Sequence, residues 1–177
     1  NKSIFKLDTA KIKEEIIILK QLNHPNIVKF YDYIETTNNI FIIMEYISKT
    51  TLKTFITQHK GHISEEMAST IMKHLLNAIQ YIHSKNICHR DIKPENIMFG
   101  DINDLSSLKL IDFGLSAQHN EYFMKPEFCG TFIYMSPEQI ENKTYTQCVD
   151  IWSAGVILYL LLNKGMHPFY VEGDSKK

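Results

Sequence analysis

Apolar residues change period several times along the chain, and each change marks an element. After Asp8, a candidate N-cap, Ile12, Ile16, Leu19 and Leu22 recur at helical spacing, which predicts a helix from about Thr9 to Leu22. Two runs rich in β-branched and aromatic residues follow, "HPNIVKFYDYIE" and "NIFIIMEYI". The turn signal Thr36-Thr37-Asn38-Asn39 separates them, so an antiparallel hairpin is expected. A short polar helix is predicted around Thr51 to Gln58. Ser64 then caps a long helix reaching about Ser84, whose stripe is Met67, Ile71, Leu75, Ala78 and Ile82. Ile97 to Phe99 and Leu108 to Ile111 read as short strands, and Gly114 to Met135 is poor in periodicity. Asp150 to Leu162 is apolar nearly all round, which predicts a central buried helix with Trp152 and the following leucines in the core.

Composition narrows the class. The 177 residues are 44% hydrophobic and 22% charged, a globular balance with material for a sizeable core. A formal charge of −1 carries no nucleic-acid footprint. Cys88, Cys129 and Cys148 are odd in number and lack metal-ligand spacing, which suits a reducing compartment and an intracellular, cytoplasmic location. The longest apolar run, Val156 to Leu162, is far short of the roughly 20 residues that span a bilayer. Cys88 is expected as a buried small hydrophobe, and the histidines other than His89 are expected on surfaces.

The stretch "ICHRDIKPEN" concentrates chemistry. Asp91, Lys93 and Asn96 place a carboxylate, an ammonium and a carboxamide within six residues. One carboxylate cannot serve as base and metal ligand together, so a metal would require a second acid. "LIDFGLS" supplies Asp112 at the end of a short strand. Asn96 and Asp112 make a hard oxygen donor set suited to Mg²⁺, and Lys93 would neutralise charge on the same face. A remaining base, a Mg²⁺ site and a fixed cation fit phosphoryl transfer, which is catalysed mainly by positioning and charge stabilisation. Loop capping by Asp and Asn is the plainer reading, and it explains their joint arrangement less well.

"HRDIKPEN", "DFG" and "SPE", in this order, resemble the catalytic loop, metal-binding loop and activation-segment end of eukaryotic protein kinases. "CGTFIYMSPE", "DIWSAGVILYLLL" and "EEIIILKQLNHPNIVKFYDYIE" extend the resemblance over nearly the whole chain. "NICHRDIKPENIMF" and "IDFGLSA" are most similar to the calcium/calmodulin-dependent and calcium-dependent kinases. The resemblance implies an α+β, two-lobe fold that is incomplete: residues 1–46 as the rest of a small lobe and the hinge start, 47–177 as part of a large lobe. It implies a serine/threonine kinase using ATP and Mg²⁺ on protein substrates. A calcium/calmodulin-type regulatory segment would lie outside this chain.

Site roles follow from the same resemblance. Asp91 corresponds to the catalytic base, Lys93 to the lysine on the transferred phosphate, and Thr131 to the hydroxyl bridging them. Asn96 and Asp112 correspond to the Mg²⁺ ligands. Met44 matches the gatekeeper, Glu45 and Ile47 the adenine-binding hinge, and Met98 the floor under the adenine. Glu15 matches the helix glutamate that pairs with a strand lysine, and Asp150 the acid that holds the catalytic-loop backbone. Leu19, Phe30, His89 and Phe113 match a stacked hydrophobic spine, with His89 packing rather than titrating. Glu138 is expected as a buried acid that pairs with an arginine outside the chain. Glu127 is expected to pair with Arg90 as a fixed negative charge. Thr51 stands near the position where relatives carry a ribose-binding acid.

No glycine precedes Glu15, and no lysine is assigned to the strand position that would pair with it. The chain is therefore expected to be part of a kinase domain. The alternative is a catalytically inactive fragment or a pseudokinase-like binding module.

Overall fold

The computed structural model describes residues 2–118 and 129–169, with side chains from Thr9 onward. Helix α1 (Lys2–Lys20) is followed by β1 (Phe30–Glu35) and β2 (Ile40–Met44), an antiparallel pair that matches Ile34 with Phe41. Thr36 closes the hairpin, its N–H and hydroxyl both donating to Asn39 O. Helices α2 (Leu52–Gln58) and α3 (Glu65–His83) begin at side-chain caps, where Thr51 and Ser64 accept the N–H of Thr54 and Met67. β3 (Ile87–Cys88), β4 (Ile97–Asp101), β5 (Asp104–Leu110) and β6 (Ala117–Gln118) come next. The short α4 (Pro137–Ile140) and the long α5 (Cys148–Leu162) complete the described elements.

The predicted first helix starts earlier. Asp8 lies inside α1 and does not cap it, since neither glycine nor proline interrupts Lys2 to Leu7. Its end is earlier as well: Gln21 and Leu22 bond back to Ile18 O and Leu19 O in a tight final turn.

α3 holds the centre of the core. Ile71, Leu75, Ala78 and Ile82 of its stripe are fully buried, and Met67 packs at the margin. One side of α3 meets β5 and the other meets α5. The same cluster gathers Leu19, Ile27, Leu52, Phe55, Phe99 and Phe113.

α5 departs from the expectation of a helix buried all round. Ala154, Ile157 and Leu161 face the core, but Trp152 is 37% exposed, Leu158 38% and Leu162 48%. Where every position is apolar, periodicity carries no information about which face is covered. Trp152 instead stacks on Phe169, with ring centroids 5.7 Å apart. No helix among the described residues is long and apolar enough to cross a membrane.

Two nested pairings place the chemistry. β4 pairs antiparallel with β5, matching Ile97 with Leu110. Outside them β3 pairs antiparallel with β6, matching Cys88 with Ala117. The loop from His89 to Asn96 and the loop from Ile111 to Ser116 are therefore held side by side.

The burial pattern of α3 is directly testable. Leu75→Ala should cost about 2–5 kcal/mol, while its neighbour Leu76→Ala, on the exposed face, should cost about 1 kcal/mol or less. Urea unfolding of both variants checks this, and similar costs would contradict the assigned face.

Candidate active site

The two loops are fixed from below by one buried carboxylate. Asp150, in the first turn of α5, is 1% exposed. Its Oδ1 accepts Arg90 N–H at 2.9 Å, and its Oδ2 accepts His89 N–H at 2.9 Å. His83 Nε2, at the end of α3, also meets Oδ2 at 2.8 Å. Burial alone would raise this carboxyl. The His83 hydrogen bond, the nearby imidazoles and the backbone donor outweigh it and hold the group below the usual carboxylate range. Arg90 sits at φ 67, a left-handed conformation uncommon outside glycine, and the Asp150 bond to its N–H helps hold it there. Arg90 Nε also donates to Leu115 O at 2.6 Å, and a terminal nitrogen meets the Tyr145 hydroxyl at 3.2 Å.

The next residue is Asp91. Lys93 Nζ lies 2.7 Å from Asp91 Oδ2 and 2.8 Å from Thr131 Oγ1. Thr131 Oγ1 donates to Asp91 Oδ1 at 2.7 Å. Asn96 Nδ2 donates to Asp91 Oδ2 and to the Asp91 carbonyl, both at 3.0 Å. A base candidate, a cation, a hydroxyl and a carboxamide thus close a single network, with Asp91 and Asn96 buried.

Gly130 brings Thr131 to it. At φ 109 its backbone runs against Arg90, and a Cβ there would stand 2.5 Å from Arg90 O. No larger residue permits that approach.

Ile111 N–H donates to Asn96 O at 2.9 Å, which sets Asp112 beside the Asn96 loop. Asp112 is also left-handed, φ 62, and its Oδ1 accepts Gly114 N–H at 3.2 Å. Glu15 of α1 reaches the same place, since a point built at the Gly114 Cβ would lie 3.3 Å from Asp112 Oδ1 and 3.6 Å from Glu15 Oε2. Burial, and then the charge of Asp112, push the Glu15 carboxyl above its ordinary value.

His89 is fully buried and neutral in role. Its Nδ1 accepts Asp91 N–H, its Nε2 meets Ile111 O at 3.0 Å, and its ring packs edge-on against Phe113 at 4.9 Å. Burial lowers its pKa. Leu19 and Phe113 are buried in one core with Phe30 packed against it.

The remaining candidates lie at the other end of β2 and on β4. Met44 is 41% exposed at the end of β2, and Ile47 packs against the core. Met98 stands on β4 opposite Lys109, and a bridge from Thr51 to Met98 draws the segment after β2 onto that strand. Glu45 directs its side chain to Lys109 at 2.8 Å. Thr51 serves as the cap of α2.

Other expectations are corrected or lie elsewhere. Glu138 is half-buried at the start of α4 rather than buried, because the buried face of this short helix is taken by Gln139 while Pro137 and Ile140 are exposed. Glu127 lies outside the described residues. Not all other histidines are superficial: His83 is turned inward to Asp150, four residues after the buried Ile79. That spacing within the α3 stripe was the available signal. Cys88 is buried as expected, with its thiol raised by burial.

The protein kinase domain family matches residues 1–177. The chain belongs to that family. A probable myosin light chain kinase of Dictyostelium discoideum is 43% identical over 162 residues, covering 92% of this chain and 33% of that protein. A calcium-dependent protein kinase 3 of Plasmodium yoelii yoelii is 42% identical over 168 residues, covering 94% and 30%. An SNF1-related protein kinase catalytic subunit alpha of Arabidopsis thaliana is 41% identical over 160 residues, covering 90% and 31%. The chain spans about a third of the length of each. By family it is a protein kinase domain, and its α+β structure is kinase-like.

Two consequences follow for this kinase domain. Asp150 contributes stability that is complete above the unfolded carboxyl value, about pH 4, and fades as pH falls through its lowered folded value. Asp150→Ala should lose about 3–5 kcal/mol at pH 7, with the gap to the parent narrowing only below about pH 4. Urea titrations across pH would show this, and a gap constant down to strong acid would refute it. Gly130→Ala should cost about 1–3 kcal/mol. Gly155→Ala, in α5 with open space around it, should gain about 0.5–1 kcal/mol. Thermal unfolding of the pair separates close approach from general glycine effects.

Proposed function

We propose that the parent domain transfers the terminal phosphoryl group of ATP to serine or threonine hydroxyls of proteins. The observation that carries this reading is the closed network of Asp91, Lys93, Thr131 and Asn96. Asp91 acts as base. As the substrate oxygen forms its bond to phosphorus, its proton passes to the Asp91 carboxylate, and the bond to the ADP oxygen breaks. Lys93 offsets negative charge on the moving phosphoryl group, and Thr131 and Asn96 hold Asp91 in one orientation.

The donor chemistry fits Mg²⁺. Asn96 directs its amide N–H groups to Asp91 and keeps a carboxamide oxygen as acceptor, and Asp112 adds a carboxylate beside it. These are hard oxygens of the type this ion takes. When bound, Mg²⁺ supplies charge neutralisation on phosphate oxygens. Adenine would lie between Met44 and Met98, with the Glu45 carbonyl and Ile47 N–H as its backbone partners. In this reading residues 1–46 belong to a small lobe ending at the hinge, and 47–177 to a large lobe. Calcium-linked control by a segment elsewhere in the protein is supported by the name of the Plasmodium relative alone.

Asp91→Asn keeps shape and most contacts but removes the base. In the protein carrying this domain it should lower kcat by about 10²–10⁴-fold with little change in Tm. Near-normal turnover in a steady-state peptide assay would overturn the reading.

A further inference from the structure

In the proposed reading the Glu45 backbone meets adenine, which leaves its side chain for another task. Its Oε1 lies 2.8 Å from Lys109 Nζ and accepts Lys29 N–H at 2.7 Å. Glu45 N–H donates in turn to Lys29 O at 2.9 Å. Lys109 Nζ also donates to Pro25 O at 3.0 Å. Both charged side chains are about four-fifths covered, at 20% and 18% exposure, which sets this pair apart from the open Lys13–Glu35 and Lys143–Glu141 pairs. Partial burial reduces screening and makes such a pair stronger than one on an open surface.

The pair reinforces a junction that the main chain makes at the Ile27–Leu110 bridge. β1 and β2 form one sheet, and β4 and β5 another. Lys109 lies on β5, opposite Met98 and three residues before Asp112. Glu45 immediately follows β2. Beyond it Tyr46 is 86% exposed, and the chain regains β4 through Ser48 Oγ on Phe99 O and Phe99 N–H on Thr50 O. Val28 N–H donates to Leu110 O and Leu110 N–H to Asn26 O, and the ammonium adds the side-chain tie that sets where the exposed segment departs from β2 relative to the strand that leads to Asp112.

We infer that Lys109, acting through the Glu45 carboxylate, is a positioning residue for the nucleotide-binding segment Glu45–Ile47. The inference rests on the reading of that segment as the adenine site. Lys109 does not touch nucleotide. It sets the distance between the backbone that would hold adenine and the acid that would face the phosphates, so its loss weakens nucleotide binding more than the chemical step.

The test uses Lys109→Met, Lys109→Arg, Glu45→Gln and the Lys109→Met/Glu45→Gln double variant, in the protein carrying this domain. Lys109→Met should raise KM for ATP about five- to tenfold, with kcat within about twofold and KM for a peptide substrate unchanged. Lys109→Arg should restore KM for ATP, and the double variant should be no worse than Lys109→Met. An unchanged KM for ATP, a fall in kcat that tracks the folded fraction, or additive effects in the double variant would overturn the inference. Should the parent protein transfer no phosphate, the functional reading itself fails. Amide exchange then decides the tie: faster exchange at Glu45–Ser48 in Lys109→Met, with α3 unchanged, supports it, and equal exchange removes it.

Discussion

A single carboxylate sets the geometry on which the rest of the site depends. Burying Asp150 is unfavourable unless its charge meets donors, and three converge on it: the N–H groups of His89 and Arg90 and the His83 imidazole. The benefit is reciprocal. Those two N–H groups lie in an irregular loop where no ladder would receive them, and an orphaned buried N–H is itself costly. α3 supplies His83, α5 supplies Asp150, and the loop between β3 and β4 is clamped where the two helices meet. Because the clamp grips the main chain at His89 and Arg90, it fixes the direction in which Asp91 leaves.

Above the clamp, the long-range contacts are made by polar side chains. Thr131 stands 40 residues from Asp91, yet its hydroxyl bridges Asp91 and Lys93. That depends on Gly130 passing against Arg90 O, in a conformation and a space that exclude a side chain. The network therefore joins two loops that share no strand pairing.

Much of this was legible in the sequence, for identifiable reasons. The α3 stripe and its cap Ser64 are local signals, and the structure keeps them. The Asp91, Lys93, Asn96 and Asp112 grouping was readable because ordered motifs carried it. The rest was hidden where physics is non-local. β3 and β6 are two residues each, too short for any period to register, yet their pairing sets the two loops side by side. α5 is so uniformly apolar that its exposed face could not be told from its buried one. His83 and Lys109 looked like ordinary polar residues on amphipathic elements, because their partners Asp150 and Glu45 are distant in sequence.

The two acid groupings of the site differ in electrostatic state. Asp91 is already matched: Lys93, Thr131 and Asn96 surround it, so its buried charge has partners before any ligand arrives. Glu15 and Asp112 face each other instead, and burial together with that like charge pushes the Glu15 carboxyl up. Two acids held together repel, and the proposed Mg²⁺ would offset that repulsion. The strain is also spread over two elements, since Asp112 is left-handed in the loop after β5 while Glu15 rides on α1. In such a layout the matched half holds the base still, and the unmatched half is the side that the proposed Mg²⁺ would face.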